Sequence, residues 1–172
     1  MKIIAFADFH GSMSALKIAE EIVKTEKPQK TVICGDLFGG WTCQPKQTDE
    51  VLNRLDTILY VLRGNNDYDE YTSQLTQDVD ENAIMYHFSR TLFFTHGHVY
   101  NASHIPTILG QNDVLIHGHT HVGFIRKVNG IFVANVGSMA LPRDGQANYL
   151  VLDEDGMTLK ATDGTVLQKV LW

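Results

Sequence analysis

Apolar and polar positions keep two different rhythms along this chain. Ile3 to Ala7 is a continuous apolar run, the pattern of a strand buried on both faces, and it predicts a strand over Lys2 to Ala7. Ser12 is placed to cap a following helix, in which Ala15, Ile18, Ala19 and Ile22 repeat on one face. Lys17, Glu20, Glu21 and Lys24 take the other face, and Pro28 stops the helix. Thr31 to Cys34 reads as a second strand, Asp49 to Leu55 as a second helix and Thr57 to Leu62 as a third strand. This alternation predicts a parallel sheet with crossover helices.

Beyond residue 80 the period is mostly that of strands. Ala83–Phe88, Arg90–Thr95 and Asp113–Ile116 are expected as strands, with a short helical turn after Pro106. Asn129-Gly130 separates Phe124–Val128 from Ile131–Val136, the signature of a two-residue hairpin. Asp155-Gly156 and Asp163-Gly164 punctuate a meander of Asn148–Leu152, Met157–Thr162 and Val166–Leu171. Residues 39–48 and 64–78 read as loops, the first being the more mobile, and no repeat or linker interrupts the chain. The expectation is one α/β domain over 1–172.

Composition narrows the class. The chain has 172 residues, 44% hydrophobic and 20% charged, which excludes disordered and low-complexity classes. A net charge of −6 provides no general footprint for nucleic acid, so polyanion binding has to be local. Cys34 and Cys43 form no CxxC pair and suggest no disulfide scaffold. No apolar run approaches membrane-spanning length, and the N-terminus lacks signal-peptide features, so a cytoplasmic protein without membrane contact is expected.

The chemistry concentrates where predicted strands end. Asp8 and His10 follow the first, Gly35-Asp36 the second and Gly64-Asn65-Asn66-Asp67 the third. His96-Gly97-His98 and Gly118-His119-Thr120-His121 follow two later strands. In open α/β sheets ligands bind at the carboxyl ends of strands, so five such clusters are expected to converge on one edge. Imidazole, carboxylate and carboxamide without thiolate suit borderline divalent metals. Asp8 with His10, and His119 with His121, are spaced by two, which places each pair on one side of an extended segment. Asp36 has two oxygens with which to bridge a pair of ions. Singly, each cluster has an ordinary reading as a cap, turn or surface pair; their joint occurrence at strand ends does not.

These blocks, Asp8-Phe9-His10-Gly11, Gly35-Asp36, Gly64-Asn65-Asn66-Asp67, Thr95-His96-Gly97-His98 and Gly118-His119-Thr120-His121, resemble the calcineurin-like metallophosphoesterases. The nearer likeness is to their small prokaryotic phosphodiesterase branch, to which the retromer subunit Vps29 is related. Asn135-Val136-Gly137-Ser138 is similar to that branch's Asn-Pro-Gly-Ser block, with valine for proline. The resemblance implies a four-layer αββα sandwich, two mixed β-sheets flanked by helices, with a di-metal centre on one edge. It implies that Asp8, His10 and His121 hold one divalent ion, that Asn65, His96 and His119 hold the other, and that Asp36 bridges them with a water or hydroxide. Manganese is expected, with iron, zinc or nickel as alternatives. The implied activity is hydrolysis of a small phosphate ester, a diester before a monoester.

The chain departs from the wider family at two positions. Many members carry a histidine directly after the asparagine ligand and an aspartate three residues after the bridging one, as a general acid and its partner; here these are Asn66 and Gly39. His98 either protonates the leaving oxygen in their stead or orients His96. Catalysis is thus assigned to Asn65, which doubles as a ligand, and His98; Asn66 and Arg143 are assigned to substrate. Pro142-Arg143-Asp144-Gly145 reads equally as a polar turn. His117 is expected to face away from the metals or to support their ligands, and His87 and His104 to be ordinary surface or half-buried residues. Cys34 is expected to fill the core, and Phe38 and Trp41 either to wall the pocket or to cover the core. The rival readings are a non-catalytic interaction scaffold of the Vps29 type and a nuclease. The complete ligand set argues against the first, and the small acidic chain without a capping domain against the second. Assembly as a homodimer or higher homo-oligomer is open.

Overall fold

The computed structural model describes residues 1–40 and 42–172, so the expectation for Trp41 lies outside the described residues. The opening apolar run becomes β1 (Ile3–Phe6), followed by α1 (Met13–Glu26), β2 (Lys30–Cys34), α2 (Pro45–Leu52) and β3 (Ile58–Leu62). Both faces of β1 are buried. Ser12 caps α1 by accepting the Ala15 N–H at 3.3 Å. The remaining elements are α3 (Asp69–Thr72), β4 (Val79–Asp80), β5 (Asn82–His87), β6 (Arg90–Thr95), β7 (Val114–His117), β8 (Phe124–Val128), β9 (Ile131–Asn135), β10 (Asn148–Leu152), β11 (Gly156–Ala161) and β12 (Val166–Leu171).

These strands form two mixed sheets. One has the order β12-β11-β10-β1-β2-β3-β4, the other β5-β6-β7-β9-β8. The expected parallel pairing is present: β1 with β2, and β2 with β3. In the hairpin between β8 and β9, Asn129 and Gly130 both have positive φ, 50° and 83°, as a two-residue primed turn requires. Alternation sorts each strand between layers. Ile3, Ala5, Val32 and Cys34 face Phe94, Val114, Ile116 and Ala134 of the other sheet across the central core. Ile4, Phe6 and Ile33 face the opposite way, against Leu16, Ala19 and Val23 of α1 and Val51 and Leu52 of α2.

Three details differ from the sequence expectation. Pro45 occupies the first turn of α2, where its missing N–H costs nothing, so the helix starts inside the segment read as loop. Residues 64–78 contain α3, and β4 extends the first sheet. The turn expected after Pro106 is a single one, in which Leu109 N–H closes on the Pro106 carbonyl. The outer face of the second sheet, with Phe93, Leu115 and Val133, is covered by Tyr100, Ala102, Ile105 and Leu109 from a turn-rich segment. Among the described residues, no helix is long and apolar enough to cross a membrane.

Candidate metal centre

The strand ends meet. His96 Nε2 lies 3.0 Å from Asn65 Oδ1, 3.2 Å from His119 Nδ1 and 3.4 Å from Asp36 Oδ2. Asp36 Oδ2 lies 3.7 Å from His10 Nε2, which lies 3.2 Å from His121 Nε2. His121 Nε2 is 3.3 Å from Asp8 Oδ1, and Asp8 Oδ2 accepts the backbone N–H of His119 at 2.9 Å. All seven residues expected as ligands therefore belong to one connected cluster. Asp8 and Asp36 are buried, as are His96 and His121. Asp8, His10 and His121, and separately Asp8, Asp36 and His96, present donor atoms within 4.8 Å of one another.

The geometry is reached by a different route from the strand pleat. β1 ends at Phe6, and Asp8 and His10 lie beyond it with φ of 58° and 47°. Asp36, His119 and His121 are also left-handed, at 51°, 70° and 62°. Each such residue costs about 1–2 kcal/mol relative to the right-handed conformation. Five of the seven donors thus sit on backbone that the surrounding hydrogen bonds must hold. Asp8 N–H donates to Gly35 O at 3.1 Å and His10 N–H to Asp36 O at 2.9 Å, tying the first two strand ends together. Ser138 Oγ donates to Asp8 O at 2.9 Å, and Asn135 Nδ2 donates to Gly118 O at 2.8 Å. The Asn135–Ser138 block, a motif without a role in the sequence reading, is therefore the buttress of the first and last donor turns.

Lone pairs face lone pairs in this cluster. His96 Nδ1–H is placed to donate to Cys34 O at 2.9 Å, and His121 Nδ1–H to Leu141 O at 2.8 Å. In these tautomers each Nε2 is an acceptor aimed at other acceptors. Asp8 Oδ1 is buried and has no hydrogen-bond partner. Such an arrangement calls for positive charge at its centre. The histidines of the cluster shift in opposite directions: burial lowers the His10 and His119 pKa values, whereas carboxylate contacts raise those of His96 and His121. Burial lowers the His96 pKa, but contact with the Asp36 carboxylate outweighs it and the net shift is upward. Contact with Asp8 likewise raises His121 against burial. Burial pushes the Asp36 carboxyl up, yet His96 and Asn66 outweigh it and hold the group well below the usual carboxylate range. The donor set of oxygen and nitrogen without sulfur fits divalent cations. Cys34 offers its carbonyl to His96 while burial drives its thiol far above the ordinary range, and the side chain fills the core.

The residues assigned around the ligands are placed as follows. Asn66 does not project freely toward a substrate: its Nδ2 donates to Asp36 Oδ2 at 2.7 Å and its backbone N–H to Asp36 Oδ1 at 2.9 Å. Gly39 has φ of 88°, and a Cβ there would overlap the Asn66 Cβ. The two positions that depart from the wider family are thus in contact, and their small size is coupled. His98 is exposed, its ring 5.4 Å from His96 and 6.3 Å from His119. His96 is oriented at Nδ1 by the Cys34 carbonyl, 2.9 Å away. Arg143 is exposed in a bend; its N–H donates to His121 O at 2.9 Å, and its charge reaches the His121 imidazole. His117 is buried and braces the Gly118 carbonyl at 3.0 Å. His87 is half-buried, His104 is exposed, and Phe38 covers the core against Tyr71. One organising residue was missed. Asp67 accepts the N–H groups of Phe38 and Gly64, each at 2.8 Å, and so locks the turns carrying Asp36 and Asn65. Its position in the Gly64–Asp67 block was its only signal.

Comparisons with known proteins converge on the same region. The calcineurin-like phosphoesterase superfamily domain matches residues 1–157. Phosphodiesterase YfcE of Escherichia coli is 31% identical over 193 aligned positions, covering 99% of this chain and 97% of that protein. A solved YfcE structure, described as a phosphoesterase, superposes with a TM-score of 0.91 over 99% of both chains. Phosphodiesterase MJ0936 of Methanocaldococcus jannaschii is 26% identical, covering 90% of this chain and 94% of that one. Vps29 from Entamoeba histolytica, solved in complex with zinc, shares the fold at 20% identity, with a TM-score of 0.65 over 99% of each chain.

Proposed function

This chain belongs to the calcineurin-like phosphoesterase superfamily, and on that premise we propose that it hydrolyses phosphodiesters with two divalent cations held in the donor cluster. The observation that carries this reading is the buried Asp8 Oδ1, without a hydrogen-bond partner and 3.3 Å from the His121 Nε2. A buried carboxylate oxygen left so, in a cluster of other lone-pair donors, fits a cation completing its shell. Asp8, His10 and His121 would hold one ion, Asn65, His96 and His119 the other, and Asp36 would serve both. Bound there, the cation pair supplies an acidified water as nucleophile and charge compensation for the phosphoryl oxygens. Two divalent ions bring four positive charges and Asp8 and Asp36 return two. The site is then attractive to an anionic ester on a chain whose net charge is −6.

The protein's own groups divide the remaining work. Asn66 fixes the plane of the Asp36 carboxylate through two hydrogen bonds. His98, exposed beside His96 and His119, supplies the proton to the leaving oxygen at that end. Arg143, next to His121, suits the equatorial phosphoryl oxygens through its planar guanidinium. A diester is favoured over a monoester because Gly39 and Asn66 provide no acid pair and because the full-length relatives carry the name phosphodiesterase. The mixed nitrogen and oxygen donors suit manganese, iron, zinc or nickel, and manganese is proposed on the family resemblance.

The test is hydrolysis of bis(p-nitrophenyl) phosphate by metal-stripped protein to which manganese is returned. Manganese-dependent release of nitrophenolate is expected, faster than from p-nitrophenyl phosphate and lost in Asp36→Asn and His119→Ala. Unchanged turnover in either folded variant, or preference for the monoester, contradicts the proposal.

A further inference from the structure

A pocket of about 460 Å³ opens beside His10. That volume lies in the range, ~300–1,000 Å³, which takes a small organic ligand. Ser12, Met13 and Ser14 at the start of α1, Gly40 in the loop after β2 and Leu141 are among its lining residues. For a space adjoining a phosphate site its chemistry is one-sided: among the described residues, no Lys, Arg, Asp or Glu lines it. The Ser12 and Ser14 hydroxyls, 3.0 Å apart, provide a hydrogen-bonding edge. Met13 and Leu141 provide apolar surface, and the Leu141 side chain is left 54% exposed.

Position connects this chemistry to the reaction. The pocket borders the donor cluster at His10, whereas His98 borders it at His96 and His119. In an in-line displacement with the leaving oxygen apical at the His98 end, the retained ester oxygen is equatorial, and its group enters the pocket when turned to the His10 side. We infer that this pocket is the subsite for the retained ester group, and that it selects an uncharged alcohol component with an apolar face and a hydrogen-bonding edge. The inference rests on the phosphodiesterase reading. The described wall of the pocket offers no charged side chain to a carboxylate or second phosphate on that group, which loses its hydration on entering, and this is the physical basis of rejection.

The experiment uses manganese-loaded full chain and two esters with the same p-nitrophenolate leaving group, their retained groups being phenyl and 4-carboxyphenyl. KM for the phenyl ester is expected to be about tenfold lower or more, with kcat within about threefold, because the difference lies in binding. Ser14 is exposed, so both of its charged variants are tolerated by the fold. Ser14→Arg places a cation in the pocket and is expected to abolish or invert the ratio. Ser14→Asp is favourable at a helix N-terminus and is expected to widen it. KM values within twofold of each other in the unaltered protein, or a ratio unmoved by both variants, overturn the pocket assignment while leaving phosphodiester hydrolysis intact. No turnover of either ester overturns both.

Discussion

Removing the Asn66 side chain tests how the bridging carboxylate is held. Asn66 Nδ2 donates to Asp36 Oδ2 at 2.7 Å, and the same oxygen stands 3.4 Å from His96 Nε2 and 3.7 Å from His10 Nε2. Asn66→Ala deletes this charge-assisted bond and keeps the backbone bond to Asp36 Oδ1. A hydrogen bond to a charged group is worth about 1.5–3 kcal/mol, a factor of roughly 10–150 in an equilibrium constant. Loss of a partner that orients a metal ligand costs about 10–100-fold in metal affinity or activity. The manganese concentration for half-maximal activity is therefore expected to rise by about one to two orders of magnitude. Most of kcat is expected to return at saturating metal. The assay is a manganese titration of bis(p-nitrophenyl) phosphate hydrolysis, paired with calorimetric metal binding and a melting curve to show that the variant is folded. A raised KM with unchanged manganese dependence places Asn66 on the substrate and refutes the clamp.

Two further outcomes follow from particular contacts. Gly39→Ala forces a side chain onto φ of 88° and into the Asn66 Cβ, and is expected to destabilise by about 2–4 kcal/mol; a melting temperature unchanged from the parent contradicts that packing. Burial pushes the Glu26 carboxyl up, but Lys160 and Lys2, at 2.6 and 2.7 Å, outweigh it and bring its pKa to about 2 from 4.5. A depressed carboxylate stabilises the fold above its unfolded pKa, and this contribution, on the order of 2–3 kcal/mol, is lost as pH falls from about 4.5 toward 2. Glu26→Gln is expected to be less stable than the parent at pH 7 and to show a flatter acid limb in denaturant titrations. Parallel acid limbs refute the assignment.

Much of the site was legible because its residue types are rare in combination and fall just after apolar runs. Asp8, Asp36 and Asn65 follow the ends of the parallel strands β1, β2 and β3, and His96 and His119 follow the ends of the parallel pair β6 and β7 in the other sheet. The backbone that aims them was not legible. Alternation along a strand cannot foresee left-handed Asp8, His10, His119 and His121, because tertiary hydrogen bonds, not local preference, hold those conformations. The Asn66–Asp36 clamp joins residues 30 positions apart, and the contact of Gly39 with Asn66 is equally non-local. Pro45 is a helix-start signal that the polar run around it obscured. The segment after Pro106 has apolar residues at near-helical spacing, but they cover the second sheet from successive turns.

Donors from five separated segments are expected to surround a pair of cations. An anomalous-scattering map of manganese-loaded crystals, collected at the manganese edge, tests it in one experiment. Two peaks are expected, one among Asp8, His10 and His121 and one among Asn65, His96 and His119, with Asp36 touching both. Absence of a peak from this cluster at saturating manganese, or peaks only elsewhere on the chain, contradicts the account.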